Sequence, residues 1–353
     1  MKKIVSSILA LSMVGTLAAC GSSPSTEGST SGDTSGETHK LTFATATAAN
    51  AINHRAALHL KDLLEEKTDG KMTLEIYTDG TLFGGDRETI EAMQSGDCDL
   101  SIIATTPYVT FDKNLAVFDI PFLFDVEEDS DAMMDAVESF LTSDAGKKAL
   151  EPVLANLPNV GIRAMALANQ GFRELTCNTN VQKMEDLKGL KIRTMENAYH
   201  IETWTLLGAN PTPMAFTEIF TALEQGTIDG QENPYELICT SKFYEAQKYC
   251  VNTHHISSVH IFAVGEKEYQ SLPEDMRTIL AEEMENTARW YAAEAKAGVG
   301  ARYDELVDSG ITMVDISPEE YERFRETTQP VTDKIRNDLG ADMVDAFIAA
   351  ARS

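Results

Sequence analysis

The chain predicts an α/β fold in two halves, on three observations. Strand and helix patterns alternate from residue 40 onward, and one helix-to-strand unit occurs once in each half. A hydrophobic content of 43% beside 24% charged residues supplies apolar material for two cores. Residues 40–46 (KLTFATA) have the period-2 pattern of a strand, residues 56–67 read as an amphipathic helix stopped by Thr68-Asp69-Gly70, and residues 72–77 alternate again. Residues 87–95 are helical and closed by Gly96, and residues 100–104 form a buried strand. The repeated unit is Ala92-Met93-Gln94-Ser95-Gly96-Asp97-Cys98-Asp99 against Ala222-Leu223-Glu224-Gln225-Gly226-Thr227-Ile228-Asp229, with Ala, Gly and Asp at the same spacing. Each copy reads as a helix end, a glycine able to take a left-handed cap, and an Asp entering a strand. A match over eight residues also arises by chance. As a structural repeat, it implies two lobes whose strand ends face one cleft, where open α/β sheets bind ligands.

Charge removes several classes of partner. With 29 Lys and Arg against 56 Asp and Glu, the net charge is −27. Nucleic acid, held by cations on phosphates, is excluded as a partner, and so is attachment to anionic lipid through basic residues. The motifs G-x-S-x-G, H-E-x-x-H, the P-loop and G-x-G-x-x-G are absent from the sequence. Thr253-His254-His255 and His260 lack a ligand spacing, so neither metal nor cofactor is expected.

The N-terminus reads as an address. Met1-Lys2-Lys3 is basic, and residues 4–19 carry no charge over 16 residues, short of the roughly 20 a spanning helix needs. The run ends Leu17-Ala18-Ala19-Cys20, which resembles the bacterial lipoprotein cleavage box. The resemblance implies removal of residues 1–19 and lipidation of Cys20 on the outer face of a membrane; the alternative is a secreted protein in which Cys20 is incidental. Residues 20–39, from Gly21 on rich in Gly, Ser and Thr, form a tether of about 25 Å end to end. Of the other cysteines, Cys98, Cys177, Cys239 and Cys250, an exported protein permits a Cys239–Cys250 bridge. A chain this long does not need one, and buried free thiols are expected.

Residues 171–249 carry the identifying pattern. Gly171-Phe172-Arg173-Glu174-Leu175-Thr176 is followed by Asp186-Leu187-Lys188-Gly189-Leu190-Lys191-Ile192-Arg193 and by Gly208-Ala209-Asn210-Pro211-Thr212-Pro213-Met214-Ala215-Phe216-Thr217-Glu218. Asp229-Gly230-Gln231-Glu232-Asn233-Pro234 and Phe243-Tyr244-Glu245-Ala246-Gln247-Lys248-Tyr249 complete it. In this order the pieces resemble the DctP-type solute-binding proteins of tripartite ATP-independent periplasmic (TRAP) transporters. The resemblance implies a periplasmic-binding-protein-like fold of two α/β lobes. Crossover strands near residues 167–173 and 256–263 would join residues 40–170 plus 259–298 (lobe I) to residues 171–258 plus 299–353 (lobe II). A helix opening at Leu272-Pro273-Glu274 and reaching about residue 307 would span about 50 Å as a spine across both.

The candidate site follows from the same match. On the strand Leu190-Lys191-Ile192-Arg193, Leu190 and Ile192 share one face, so Arg193 falls on the other, toward solvent or the cleft. In the family the equivalent arginine grips the ligand carboxylate, a task that suits a planar fork of fixed charge. Arg173 is a second basic candidate, with an ion pair to an acid such as Glu174 as its alternative. Asn233 offers an amide that donates and accepts, or else a structural turn before Pro234; Phe216 walls the pocket, or else packs in a core. Asn50, Asn53, His54, Thr105 and Thr106 lie near predicted strand ends of lobe I. The implied function is capture of a small organic acid by lobe closure, without catalysis, and delivery to a cation-coupled TRAP permease. Family substrates include uronates, aldonates, C4-dicarboxylates, sialic acids and 2-oxo acids, and the polar lobe I candidates favour a sugar acid. The alternatives are a lipoprotein that senses the acid for a receptor and an extracytoplasmic enzyme acting on it.

Overall fold

A computed structural model describes residues 38–125 and 130–353; Cys20, the signal and most of the tether lie outside the described residues. The chain begins with strands β1 (His39–Ala44), β2 (Met72–Tyr77) and β3 (Leu100–Ala104), alternating with helices α1 (Ile52–Lys67) and α2 (Asp86–Ser95). Then come α3 (Thr105–Tyr108), a 3-10 turn at Lys113–Asp119, α4 (Ser130–Thr142) and α5 (Asp144–Leu154). Strand β4 (Ile162–Phe172) passes through Arg173 alone into β5 (Glu174–Cys177), followed by β6 (Lys191–Thr194), α6 (Ala198–Leu206) and β7 (Asn210–Pro213). Next are α7 (Ile219–Glu224), β8 (Gly230–Asn233), α8 (Tyr235–Thr240) and β9 (Tyr249–Asn252). The chain returns through β10 (Ser257–Gly265), α9 (Glu266–Ser271), α10 (Glu274–Asp308), β11 (Thr312–Asp315), α11 (Pro318–Leu339) and α12 (Ala341–Ala351).

Two sheets result, ordered β2-β1-β3-β10-β4 in lobe I and β11-β9-β5-β8-β6-β7 in lobe II. β1 is parallel to β2 and β3, whereas β10 runs antiparallel to β3 and β4. The two crossovers are β4 into β5 and β9 into β10. Gly171, with φ +132° next to the first of them, holds a backbone geometry that a side chain would strain. All nine residues of β10 are buried, as a central strand covered on both faces requires.

The spine is α10, 35 residues long. Met276, Leu280, Met284, Ala288, Tyr291 and Ala295 recur every three or four positions and bury against β1, β3, β10 and α1 of lobe I. Further along, Leu306 joins Ile219, Ile238 and Phe243 in lobe II, so one helix is shared by both cores. The C-terminal segment differs from the expected division. β11 joins the lobe II sheet, but Val344 and Phe347 of α12 pack with Phe118 and Phe140 beside α4 and α5 of lobe I, because the apolar face of α12 finds its match there.

The eight-residue echo is structural. Gly96 and Gly226 both adopt positive φ, +89° and +66°, after α2 and α7. Asp99 Oδ2 accepts the Thr42 backbone N–H at 2.7 Å, and Asp229 Oδ2 accepts that of Lys191 at 2.8 Å. In each lobe the Asp therefore staples the incoming strand to its parallel neighbour. The four cysteines at 98, 177, 239 and 250 are free and buried, with no bridge between Cys239 and Cys250. Replacing either Asp99 or Asp229 by Ala is expected to cost about 1 kcal/mol, each removing an equivalent charge-assisted bond. Urea denaturation of the two variants, giving closely similar losses, checks the equivalence.

Candidate functional site

Strand ends from both lobes converge on one cavity of about 30 Å³. Lobe I contributes Thr45 and Thr47 after β1, Asn53 from the first turn of α1, Asp86 from the start of α2, and His260 from β10. Lobe II contributes Arg193 from β6, Phe216, and Asn233 from β8, with Arg173 entering from the crossover. All of these except Asp86 and Phe216, which are half-buried, are nearly inaccessible, so the lobes are closed on one another.

Arg193 is 3% exposed. Its Nε and Nη2 donate to the Met214 carbonyl at 3.0 and 2.7 Å, which fixes one edge of the fork, while Nη1 is buried and has no protein partner. Burial lowers the guanidinium to about 10, with Arg173 adding to the effect and Glu232, Asp86 and Glu196 opposing it, so it stays charged at neutral pH. A buried cation without a bonded acid favours any anion that can enter.

Arg173 is built differently. Its Nε and Nη2 grip the Glu232 carboxylate, with Nη2–Oε1 at 3.0 Å, and Nη2 also reaches Asn233 Oδ1 at 3.1 Å. The expected alternative partner was Glu174; the observed one is Glu232, placed directly across from β5 on β8. Burial pushes the Glu232 carboxyl up, but Arg173 and a hydrogen bond from His255 Nε2 at 3.1 Å outweigh it and hold it well below the usual carboxylate range. The charge of Arg173 is thus matched within the protein. Asn233 is oriented by Arg173 on its oxygen and by Gln231 Oε1 on its nitrogen.

The lobe I expectations divide. Asn53 lines the cavity, its Nδ2 donating to the Ile102 carbonyl at 2.8 Å and its Oδ1 facing Gln170 Nε2 at 3.3 Å. Asn50, His54, Thr105 and Thr106 do not line it. Asn50 is exposed on the turn before α1, and His54, one residue past Asn53, is rotated by a helical step toward the Ala49 carbonyl. Thr105 is buried in α3, and Thr106 donates to Asp119 Oδ1 at 2.8 Å. His200 Nε2 and Asn197 Nδ2 of lobe II meet the same carboxylate, at 3.1 and 2.7 Å. Thr106 therefore ties the lobes together away from the cavity.

Thr45, Thr47 and Asp86 were not singled out from sequence, and His260 was considered only as a metal ligand and set aside. Thr45 and Thr47 share a hydroxyl contact of 2.9 Å. Burial pushes the Asp86 carboxyl up to about 6 against the pull of Arg193 and Arg173. Burial likewise pushes His260 down to about 4, so it is neutral at physiological pH. For Asp86 a signal existed: Gly84-Gly85-Asp86 opens a helix beside a strand end, at the first turn where an acid is favoured. A larger cavity of about 600 Å³ lies behind the crossover strands. Its Arg55, Arg302 and His254 already face Glu294, Glu236 and Glu174, so it lacks the unmatched cation that marks the smaller one.

A cavity sealed by two closing lobes, with one unmatched guanidinium and a ring of hydroxyl and amide groups, is built to hold an anion. The class is a two-lobed solute-binding protein. The chain belongs to the DctP family, bacterial extracellular solute-binding protein family 7, which it matches over residues 43–338. It is 30% identical to the 2,3-diketo-L-gulonate-binding periplasmic protein of Escherichia coli, over 78% of this chain and 80% of that protein. Among solved structures it resembles the sugar acid binding protein of Advenella mimigardefordensis in complex with galactonate, with a TM-score of 0.82 and 29% identity over 89% of this chain and 98% of that one. A TRAP periplasmic solute-binding protein of Shewanella oneidensis with bound succinate gives 0.81 and 28%, over 89% and 100%. The protein is thus an extracytoplasmic TRAP solute-binding protein and not an enzyme.

Because His260 charges only with difficulty when buried, its contribution to stability is complete above about pH 6.5 and is lost as pH falls toward 4. His260→Gln is expected to flatten that part of the acid decline. Urea midpoints at pH 7 and pH 4.5 should differ less in the variant than in the wild type.

Proposed function

We propose that the solute is a small hydroxylated monocarboxylate, a sugar acid, whose carboxylate pairs with Arg193. The observation that carries this reading is Arg193 Nη1, buried and without a partner beside an Nη2 fixed by Met214. That edge presents two N–H donors in the spacing of a carboxylate. Arg173 and Asn233 flank it as a fixed frame, and Phe216 covers it from lobe II. Thr45, Thr47 and Asn53 supply neutral groups for hydroxyls. Asp86, ionised at pH 7, accepts a hydroxyl hydrogen and repels a second carboxylate. The diketogulonate- and galactonate-binding relatives support this choice; the succinate-binding structure represents the competing dicarboxylate. We also propose that Cys20 is lipidated and holds the protein outside the membrane, supported by the Leu17-Ala18-Ala19-Cys20 box and the tether. Delivery to the TRAP permease follows closure.

Arg193→Ala is expected to weaken solute binding by about 2–5 kcal/mol, because a buried charge loses its partner. Arg193→Lys should recover only part, since point charge remains while the fork is lost. Calorimetry on both variants measures this, and unchanged affinity in Arg193→Ala removes the residue from its role. A thermal-shift comparison of galactonate, 2,3-diketo-L-gulonate and succinate tests the class: a ligand at a hundredfold excess over Kd adds about 2.7 kcal/mol. The sugar acids should shift the protein most at pH 7.5, and the gap to succinate should narrow below about pH 6, as Asp86 takes up its proton. Succinate as the strongest ligand at pH 7.5 would overturn the assignment of Asp86.

A further inference from the structure

Helix α1 begins without a cap of its own. Its N-cap residue is Ala51, with no side-chain hydrogen bond, and its first turn holds no acid. Four backbone donors at a helix start need acceptors, and a carboxylate there also gains from the helix dipole. The acceptor comes from the other lobe. Glu236, on α8 of lobe II and 9% exposed, receives the Ile52 backbone N–H on Oε1 at 3.0 Å. Its Oε2 receives Arg302 Nε of the spine at 2.6 Å, and Arg55 of α1 lies 3.5 Å from Oε1.

This contact sits at the floor of the cleft. Asn53, the residue after Ile52, lines the solute cavity from lobe I; Asn233 and Leu237, flanking Glu236 in sequence, line it from lobe II. Two of the helices that start at the cavity, α1 and α8, are therefore joined by one carboxylate that does not itself line it. We propose that Glu236 is a closure latch: it completes the α1 N-terminus only while the lobes are together, and so raises solute affinity by stabilising the closed form. The proposal rests on the reading that solute is held by lobe closure. On opening, Glu236 keeps Arg302 on the spine it shares with lobe II, while the Ile52 N–H passes to water. Apparent affinity then scales with the closed population of the solute-free protein, to which the latch contributes.

Two perturbations separate the latch from simple structural damage. Glu236→Gln removes the charge and keeps the shape. Ile52→Pro removes the N–H that Glu236 accepts, together with part of a buried side chain, at the first helical position where proline fits, after an Ala51 already at φ −73°, ψ 156°. Ile52→Val, which retains the N–H with a smaller side chain, is its control. Spin labels on Glu66→Cys and Glu224→Cys, exposed on lobe I and lobe II, report lobe separation, and the four buried native thiols stay unlabelled. Without solute, Glu236→Gln and Ile52→Pro should shift the distances toward the open form, whereas Ile52→Val should not. Calorimetry with galactonate should show Kd roughly three- to tenfold weaker in the same two variants, the size expected of one charge-assisted hydrogen bond. Distances equal to wild type in both variants, with Kd unchanged or unmeasurable, overturn the latch. A wild type that binds neither galactonate nor succinate overturns the organic-acid reading instead, and the label distances still decide the latch.

Discussion

A buried guanidinium held on one edge and left unmatched on the other is the constraint around which the cleft is organised. Taking such a charge out of water is costly, and the Met214 carbonyl meets only part of its demand. A protein reaches this arrangement when the remaining demand is met by something that arrives from outside. The net charge of −27 does not defeat this, because salt screens surface charge beyond about 8 Å, while the guanidinium acts at contact distance in a buried site. Affinity for an anion is thus local.

The two arginines of the cavity divide the work. Arg173 is neutralised by Glu232, itself gripped by His255, and these three pin the crossover between β4 and β5 to β8. Their contribution is position: Asn233 is aimed because Arg173 holds its oxygen and Gln231 its nitrogen. Arg193 contributes the charge. Had both been unmatched, two like charges would share one small volume, and the closed form would be strained without an anion. Had both been matched, closure would carry no electrostatic reward.

Much of this was legible in the sequence. The period-2 and period-3.6 patterns located β1, β2, β3 and α1 to within a few residues, and the paired Ala, Gly and Asp units proved to be matching strand staples because backbone geometry demands those residues. The motif pieces located Arg173, Arg193, Phe216 and Asn233, all of which line the cavity. Lobe I was harder. Asn50, Asn53 and His54 all lie at one helix start, but only the phase of α1 decides that Asn53 faces inward, and a shift of one residue turns a side chain by about 100°. Thr105 and Thr106 follow β3 as expected, yet Asp119, thirteen residues on, claims the hydroxyl of Thr106. That pairing depends on tertiary contact with Asn197 and His200, which no local pattern encodes.

In the proposed function, specificity follows from the asymmetry that remains. Arg193 and Asp86 face one cavity with opposite charges, each moved from its ordinary protonation range by burial: the arginine down and the acid up. A ligand with one carboxylate and several hydroxyls satisfies both, giving the cation its anion and the carboxylate its donors. A dicarboxylate satisfies Arg193 and sets a second negative charge against Asp86, at a cost that grows as the lobes exclude water and the local dielectric falls. Closure thus amplifies a discrimination that would be weak in an open cleft. On the proposed reading, the movement that completes the helix cap at Ile52 is also the one that makes Asp86 selective.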